Sequence, residues 1–226
     1  MHRIISLLIR ICISLGVLLF LFKRVELNRI IQIISNSNKS ILISVLLLIL
    51  LSYVIGFLRW KMLLTGLGLN LSAFIIFKSF CIGFFSNLFF PSTVGGDMLR
   101  SIDLGVRTQK PSRVVASVIL DRLSGYSALA VVASLALLLG HRVITDTSVF
   151  FVLGIILAFL VVILAILFNN FLFERSTKFL HLFGRTGQYL SNLHYEIYNF
   201  RNQRKIIMKN FAYSLIIQLI IPFRFI

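Results

Sequence analysis

The sequence predicts an all-α, polytopic membrane helix bundle, and three observations carry that reading. Hydrophobic residues make up 58% of the 226-residue chain, where soluble domains hold roughly 45–50%. Charged residues make up 13%, about half the usual share. The apolar residues gather into long runs that end on Lys or Arg, the pattern of helices that cross a bilayer and hold their charge in the loops. A small soluble enzyme is excluded by the first two observations. A disordered basic tail is excluded because such segments need low hydrophobicity.

The candidate spans follow in order. Residues 4–22 form the first, interrupted by Arg10 and closed by Lys23 and Arg24. Arg3 ahead of an apolar stretch also suggests a signal peptide. Arg10 splits that stretch, however, and no A-x-A cleavage pattern follows, so an uncleaved helix fits better. Residues 41–58 are bounded by Lys39 and by Arg59-Trp60-Lys61, with Trp60 where an interfacial anchor is expected. Residues 71–90 carry Lys78, Ser79, Ser86 and Asn87; they either span or dip in and return. Residues 114–139 and 149–168 are further spans, the second without a single charge. Residues 211–226 start an apolar segment that the chain leaves unfinished, which points to a longer parent protein.

Residues 171–209 are basic and aromatic. Leu190, Leu193, Ile197 and Phe200 fall at helical spacing there, one apolar stripe on an otherwise polar helix. Such a helix lies on an anionic membrane surface or packs on its own bundle, with equal support for each.

The charge balance is 23 Lys+Arg against 7 Asp+Glu, a formal +16. Nucleic-acid binding would need a soluble basic face with stacking aromatics. The aromatics here are mostly Phe, 22 against 6 Tyr and 1 Trp, and they sit inside apolar runs. The positive-inside bias of membrane loops explains the charge instead. Segments 169–209 and 91–113 hold 7 and 4 basic residues, and 140–148 holds 1. The first two are therefore expected on the cytoplasmic side and the third outside. Counted with 4 basic residues in 23–40 and 2 in 59–70, the rule modestly favours a spanning 71–90 with the N-terminus outside.

The segment from Phe84 to Gly125 reads as more than filler. Pro91 removes a backbone donor and Gly95-Gly96 permit close approach, so Asn87, Pro91, Gly95 and Gly96 are expected to break the helix and form a gate. Irregular backbone at membrane depth survives only where protein buries it or a wet cavity is lined by it. Asp97 is placed to cap a new helix and to pair with Arg100 three residues on. A helix N-terminus beside an arginine suits an anion such as a lipid phosphate; a plain cytoplasmic turn with a surface ion pair suits the same residues. Asp121 and Arg122 lie in an apolar run, where ionisable groups face the bundle interior. Arg100 or Arg113 are candidate partners for Asp121, and Asp97 or Asp103 for Arg122. An interfacial pair that merely sets helix depth is the alternative.

Pro91-Ser92-Thr93-Val94-Gly95-Gly96-Asp97 with Arg100, followed by Asp121-Arg122-Leu123-Ser124-Gly125, resembles the lysylphosphatidylglycerol synthase transmembrane family, also called flippase-like. Arg59-Trp60, Leu63-Leu64 and Gly68 are similar to its early motif. The resemblance covers about residues 55–220. It implies a multi-pass inner-membrane protein that moves a lipid between leaflets, for example an aminoacylated phosphatidylglycerol, or that serves polyprenyl-phosphate or hopanoid pathways. On that reading Arg100 and Arg122 hold the headgroup phosphate. Asp97 and Asp121 orient those arginines or hold a cationic headgroup. The expected partners are anionic phospholipid or polyprenyl-phosphate lipid, with a lipid-modifying enzyme as a further candidate. The alternative is a membrane subunit or scaffold of a lipid-modifying synthase or glycosyltransferase system. Family members usually continue through more helices with a second Pro/Gly-Gly motif. They also carry a soluble aminoacyl-transferase domain when they attach lysine, and this chain shows neither.

No catalytic residue, cofactor or metal is expected. His2, His141, His181 and His194 have no ligand spacing. No phosphate loop, dinucleotide fingerprint or nucleophile elbow occurs.

Overall fold

In a computed structural model the described residues are 32, 35–90, 92–140, 147–169, 171 and 184–222. The candidate span 4–22, Pro91 and the last four residues lie outside them. The chain divides into two compact units, Met1–Leu47 and Leu48–Ile226. Everything below on packing concerns the second unit.

The described residues form seven α-helices and no strand. They are α1 Lys39–Gly66, α2 Ala73–Ser86, α3 Thr93–Thr108, α4 Pro111–Gly140, α5 Thr147–Phe168, α6 Gly184–Phe200 and α7 Arg204–Ile220. Three stretches are long and apolar enough to cross a membrane: Lys39–Gly66, Pro111–Gly140 and Ser148–Phe168. At about 1.5 Å per residue each exceeds the ~30 Å hydrocarbon core. Nothing in the α5 window is buried within the protein, as befits a helix apolar on every side.

Helix α1 does not stop at Arg59. It continues past Trp60, Leu63 and Leu64, all essentially inaccessible, and ends where a glycine allows it to. Gly68 takes the left-handed conformation at φ +74°. Its N–H donates to the Thr65 carbonyl at 3.0 Å, and the Leu69 N–H to the Leu64 carbonyl at 2.9 Å. This is the paired C-terminal closure that satisfies the last carbonyls of a helix. Leu64 and Leu69, which flank it, join the same buried cluster.

Helices α2 and α3 form an antiparallel hairpin. Gly83 faces Gly96 and Arg100, and Ser79 hydrogen-bonds Asp103, so residue numbers rise on one helix as they fall on the other. The apex lies at Asn87–Ser92. Ser72 caps α2, its hydroxyl accepting from the Ile75 N–H. Ser92 caps α3, accepting from the Val94 N–H at 3.2 Å. Two expectations are corrected here. Gly95 and Gly96 sit inside the first turn of α3 rather than in broken backbone, because Ser92 starts the helix ahead of them. Asp97 is consequently in the second turn and is not the cap.

Helix α4 is the axis of the packing. One cluster joins Trp60 and Leu64 of α1, Ile76 of α2 and Leu104 of α3 to Val114 and Val118 of α4. A second joins Leu63 and Leu67 to Ala116 and Leu120 and to Leu193, Ile197 and Phe200 of α6. The apolar stripe read from 190–200 is thus turned onto the bundle, the second of the two readings. The segment 71–90 holds one helix of 14 residues, about 21 Å at the usual rise, followed by the hairpin apex.

Candidate functional site

Five charged side chains meet between α1, α3 and α4. Arg59 Nε donates to Asp121 Oδ1 at 2.7 Å. Arg100 Nη2 lies 3.4 Å from Asp121 Oδ2 and 2.9 Å from Asp97 Oδ1. Arg122 Nε donates to Asp97 Oδ2 at 2.5 Å. The order along the chain of contacts is therefore Arg59, Asp121, Arg100, Asp97, Arg122. Arg100 is the link, and it is buried, with 5% of its surface exposed. Every carboxylate oxygen contacts an arginine, Arg100 serving one oxygen of each aspartate, so Asp97 and Asp121 are both held between arginines. That arrangement leaves no carboxylate lone for a cationic group.

Three of the pairings read from sequence are present: Asp97 with Arg100, Asp121 with Arg100, and Arg122 with Asp97. The rival partners are engaged elsewhere: Arg113 bonds Glu196 at 2.9 Å, and Asp103 holds Ser79 and Arg107. Sequence alone does not single out Arg59, because an arginine at the end of an apolar run reads as a helix boundary. The signal that reveals it is the apolar periodicity at Phe57, Trp60, Leu63, Leu64 and Leu67, which carries the helix past it.

Trp60 is likewise not an exposed anchor. It is fully buried, its indole N–H donates to Ser117 Oγ at 3.0 Å, and the Arg100 guanidinium lies 4.5 Å from its ring centre. A cation over an indole face is attracted by the ring quadrupole and needs no proton partner on that side. Helix α7 completes the arrangement. Arg59 Nη1 donates to Ser214 Oγ at 2.8 Å, and Ser214 also pairs with Ser124 at 2.7 Å.

The hairpin crossing sets how close α3 comes. The Gly96 N–H donates to Asn87 Oδ1 at 3.1 Å. A Cβ on Gly96 would lie 2.2 Å from the Gly83 carbonyl oxygen, which is backbone and cannot swing away. A Cβ on Gly95 would lie 2.4 Å from Phe90 Cγ and 2.8 Å from Phe90 Cβ, the root of that side chain, so the hairpin apex would have to shift there too. Gly96→Ala is therefore expected to spread the hairpin and cost about 1–3 kcal/mol. Thermal unfolding of the variant in detergent tests this, and an unchanged midpoint would refute it.

The five charged groups line a cavity of about 270 Å³, walled by α1, α2, α3, α4 and α7. Three arginines against two aspartates leave it one net positive charge. Arg100 Nε is buried without an acceptor among the described residues. Among the described residues no cluster of His, Cys, Asp or Glu suits a metal ion.

An apolar helix bundle with an arginine-rich cavity defines an integral membrane protein. Residues 7–226 match the family described as the lysylphosphatidylglycerol synthase TM region, and the chain belongs to that family. No curated protein matches the chain, and no solved structure does.

Proposed function

We propose that the protein binds a phosphate-bearing membrane lipid by its headgroup in the charged cavity and passes that headgroup between leaflets. The observation that supports this most directly is the buried, acceptor-less Arg100 Nε in a cavity of net positive charge. One phosphodiester carries the single negative charge that balances it. At about 270 Å³ the cavity sits at the small end of ligand pockets, sized for a headgroup and not for a whole lipid. Saturation of both carboxylates favours an anionic lipid, such as a phosphatidylglycerol or a polyprenyl phosphate, over a cationic aminoacyl headgroup.

On this reading the α2–α3 hairpin is re-entrant. Each arm is too short to cross, and both open ends lie beside the Gly66 end of α1 and the Pro111 end of α4. The open ends of the hairpin, residues 67–72 and 109–113, would then face the cytoplasm with 169–209, in an inner membrane, as Lys110, Arg113 and the basic residues of 169–209 suggest. Residues 23–40 would face outward against the charge rule.

Native mass spectrometry of the detergent-purified protein tests the site. Wild type is expected to retain an anionic lipid. Arg122→Gln is expected to weaken that retention roughly 10- to 100-fold, the value of a hydrogen bond to a charged group, because Arg122 is the accessible end of the network at 37% exposure. Equal retention in both would leave the network as a brace, and the chain as a membrane subunit of a lipid-modifying enzyme system. Transport itself is read by headgroup movement in proteoliposomes, which Arg122→Gln should slow to the protein-free rate.

A further inference from the structure

Helix α3 is two-faced in a way the headgroup site does not use. Gly96, Arg100 and Leu104 point inward. Val94, Met98, Ile102 and Val106, each four residues on, are exposed at 68%, 63%, 48% and 76%. They form one wall of an open apolar groove of about 540 Å³, whose other wall includes Val115 and Val118 of α4. Gly105 keeps α3 against α4 at the floor, where an added Cβ would touch Pro111 at 3.4 Å. Asp97 lines this groove and also lines the charged cavity. Asp97 thus stands at the border of the two spaces, the one residue that lines both.

Resting on the headgroup reading above, we propose that this groove seats a hydrocarbon chain of the same lipid, so that Asp97 marks the joint between headgroup and tail. From the joint at Asp97 to Val106 the helix rises nine residues, about 13.5 Å. That is close to the ~15 Å half-thickness of a hydrocarbon core of about 30 Å, and thus to the length of one leaflet's chain. A second apolar groove, of about 560 Å³, runs along α2 beside Phe77 and Phe85. It shares no residue with the charged cavity, so it receives only the lipid that surrounds any membrane helix. The two grooves, alike in size, differ in continuity with the arginines.

The test uses the full chain reconstituted with phosphatidylglycerol carrying a diazirine midway along one acyl chain. Labelled positions are mapped by peptide mass spectrometry. Labelling is expected to concentrate on 94–118 over 74–89, by about tenfold if the headgroup is held as tightly as one charge-assisted hydrogen bond implies. Arg122→Gln, which releases the headgroup, should reduce the 94–118 label to the level of the α2 groove. Ile102→Trp, which fills the groove at an exposed position, should also reduce the 94–118 label, while weakening lipid retention in native mass spectrometry less than Arg122→Gln does. Equal labelling of both grooves in wild type overturns the proposal. So does groove label that survives Arg122→Gln, since the chain is then surrounding lipid. If wild type retains the lipid and loses it in Arg122→Gln but 94–118 stays unlabelled, the tail lies elsewhere and only the groove assignment fails. If wild type retains no anionic lipid at all, the headgroup reading has failed and the groove assignment with it.

Discussion

Asp121→Ala is expected to destabilise the protein by about 3–5 kcal/mol, the usual loss when one member of a buried ion pair is removed and its partners stay behind charged. Asp121 is 6% exposed and is the only carboxylate that either Arg59 or the α4-facing side of Arg100 touches in the described network. Without it, two guanidinium groups face each other across a small cavity, each desolvated and mutually repelled. Asp121→Asn keeps the shape and one acceptor, so its loss should be smaller. Arg59→Leu in the Asp121→Ala background should recover part of the stability, because the unmatched charge goes with it. Arg59 Nη1 also holds Ser214 of α7, so recovery will be incomplete. Chemical unfolding in detergent, followed by helical circular dichroism, measures all three. A loss below about 1 kcal/mol for Asp121→Ala would mean the pair is solvated like a surface bridge, and the buried description of the site would be wrong.

Much of this site was legible because charges in apolar runs are costly and so are spent where they meet. Asp121 and Arg122 could be singled out on that ground, Asp97 and Arg100 on their place just after Pro91 and Gly95-Gly96, and three of their pairings named. Arg59 escaped because its position at the end of residues 41–58 has a bland explanation, and only the burial of Trp60 and Leu63 beyond it removes that explanation. Ser214 gives no sequence signal at all: a serine in an apolar helix is common, and its contact spans 155 positions. Gly95 and Gly96 show the limit of local reasoning about backbone. Glycine permits irregular conformation, but here Gly96 is helical and serves instead to let the Gly83 backbone approach. Permission for two different uses looks the same in a sequence. The amphipathic stripe of α6 carries the same ambiguity, because a membrane surface and a bundle both reward one apolar face.

Substitutions at Arg100 separate a binding site from a brace. Arg100→Ala leaves Asp121 with Arg59 and Asp97 with Arg122, so neither carboxylate is stranded and the stability loss should stay near 1–3 kcal/mol, the cost of charge-assisted bonds. The same change removes the positive charge at the centre of the proposed anion site. Anionic lipid retention should fall roughly 10- to 100-fold. Lysine and glutamine make the comparison decisive. Lysine restores the positive charge as a point on a flexible stem, but it cannot lay a guanidinium plane over Trp60. Glutamine restores length without charge. If the cavity binds an anion, retention should follow charge, with Arg above Lys and Lys well above Gln and Ala. The thermal midpoint should follow geometry instead, with Lys and Gln close together below Arg. A brace has one property to lose, so lipid retention and thermal midpoint would then rank the four side chains identically. Measuring both on the same detergent preparations tells these apart. An identical ranking would withdraw the lipid site while leaving the ion network, the hairpin crossing and the family membership as they stand.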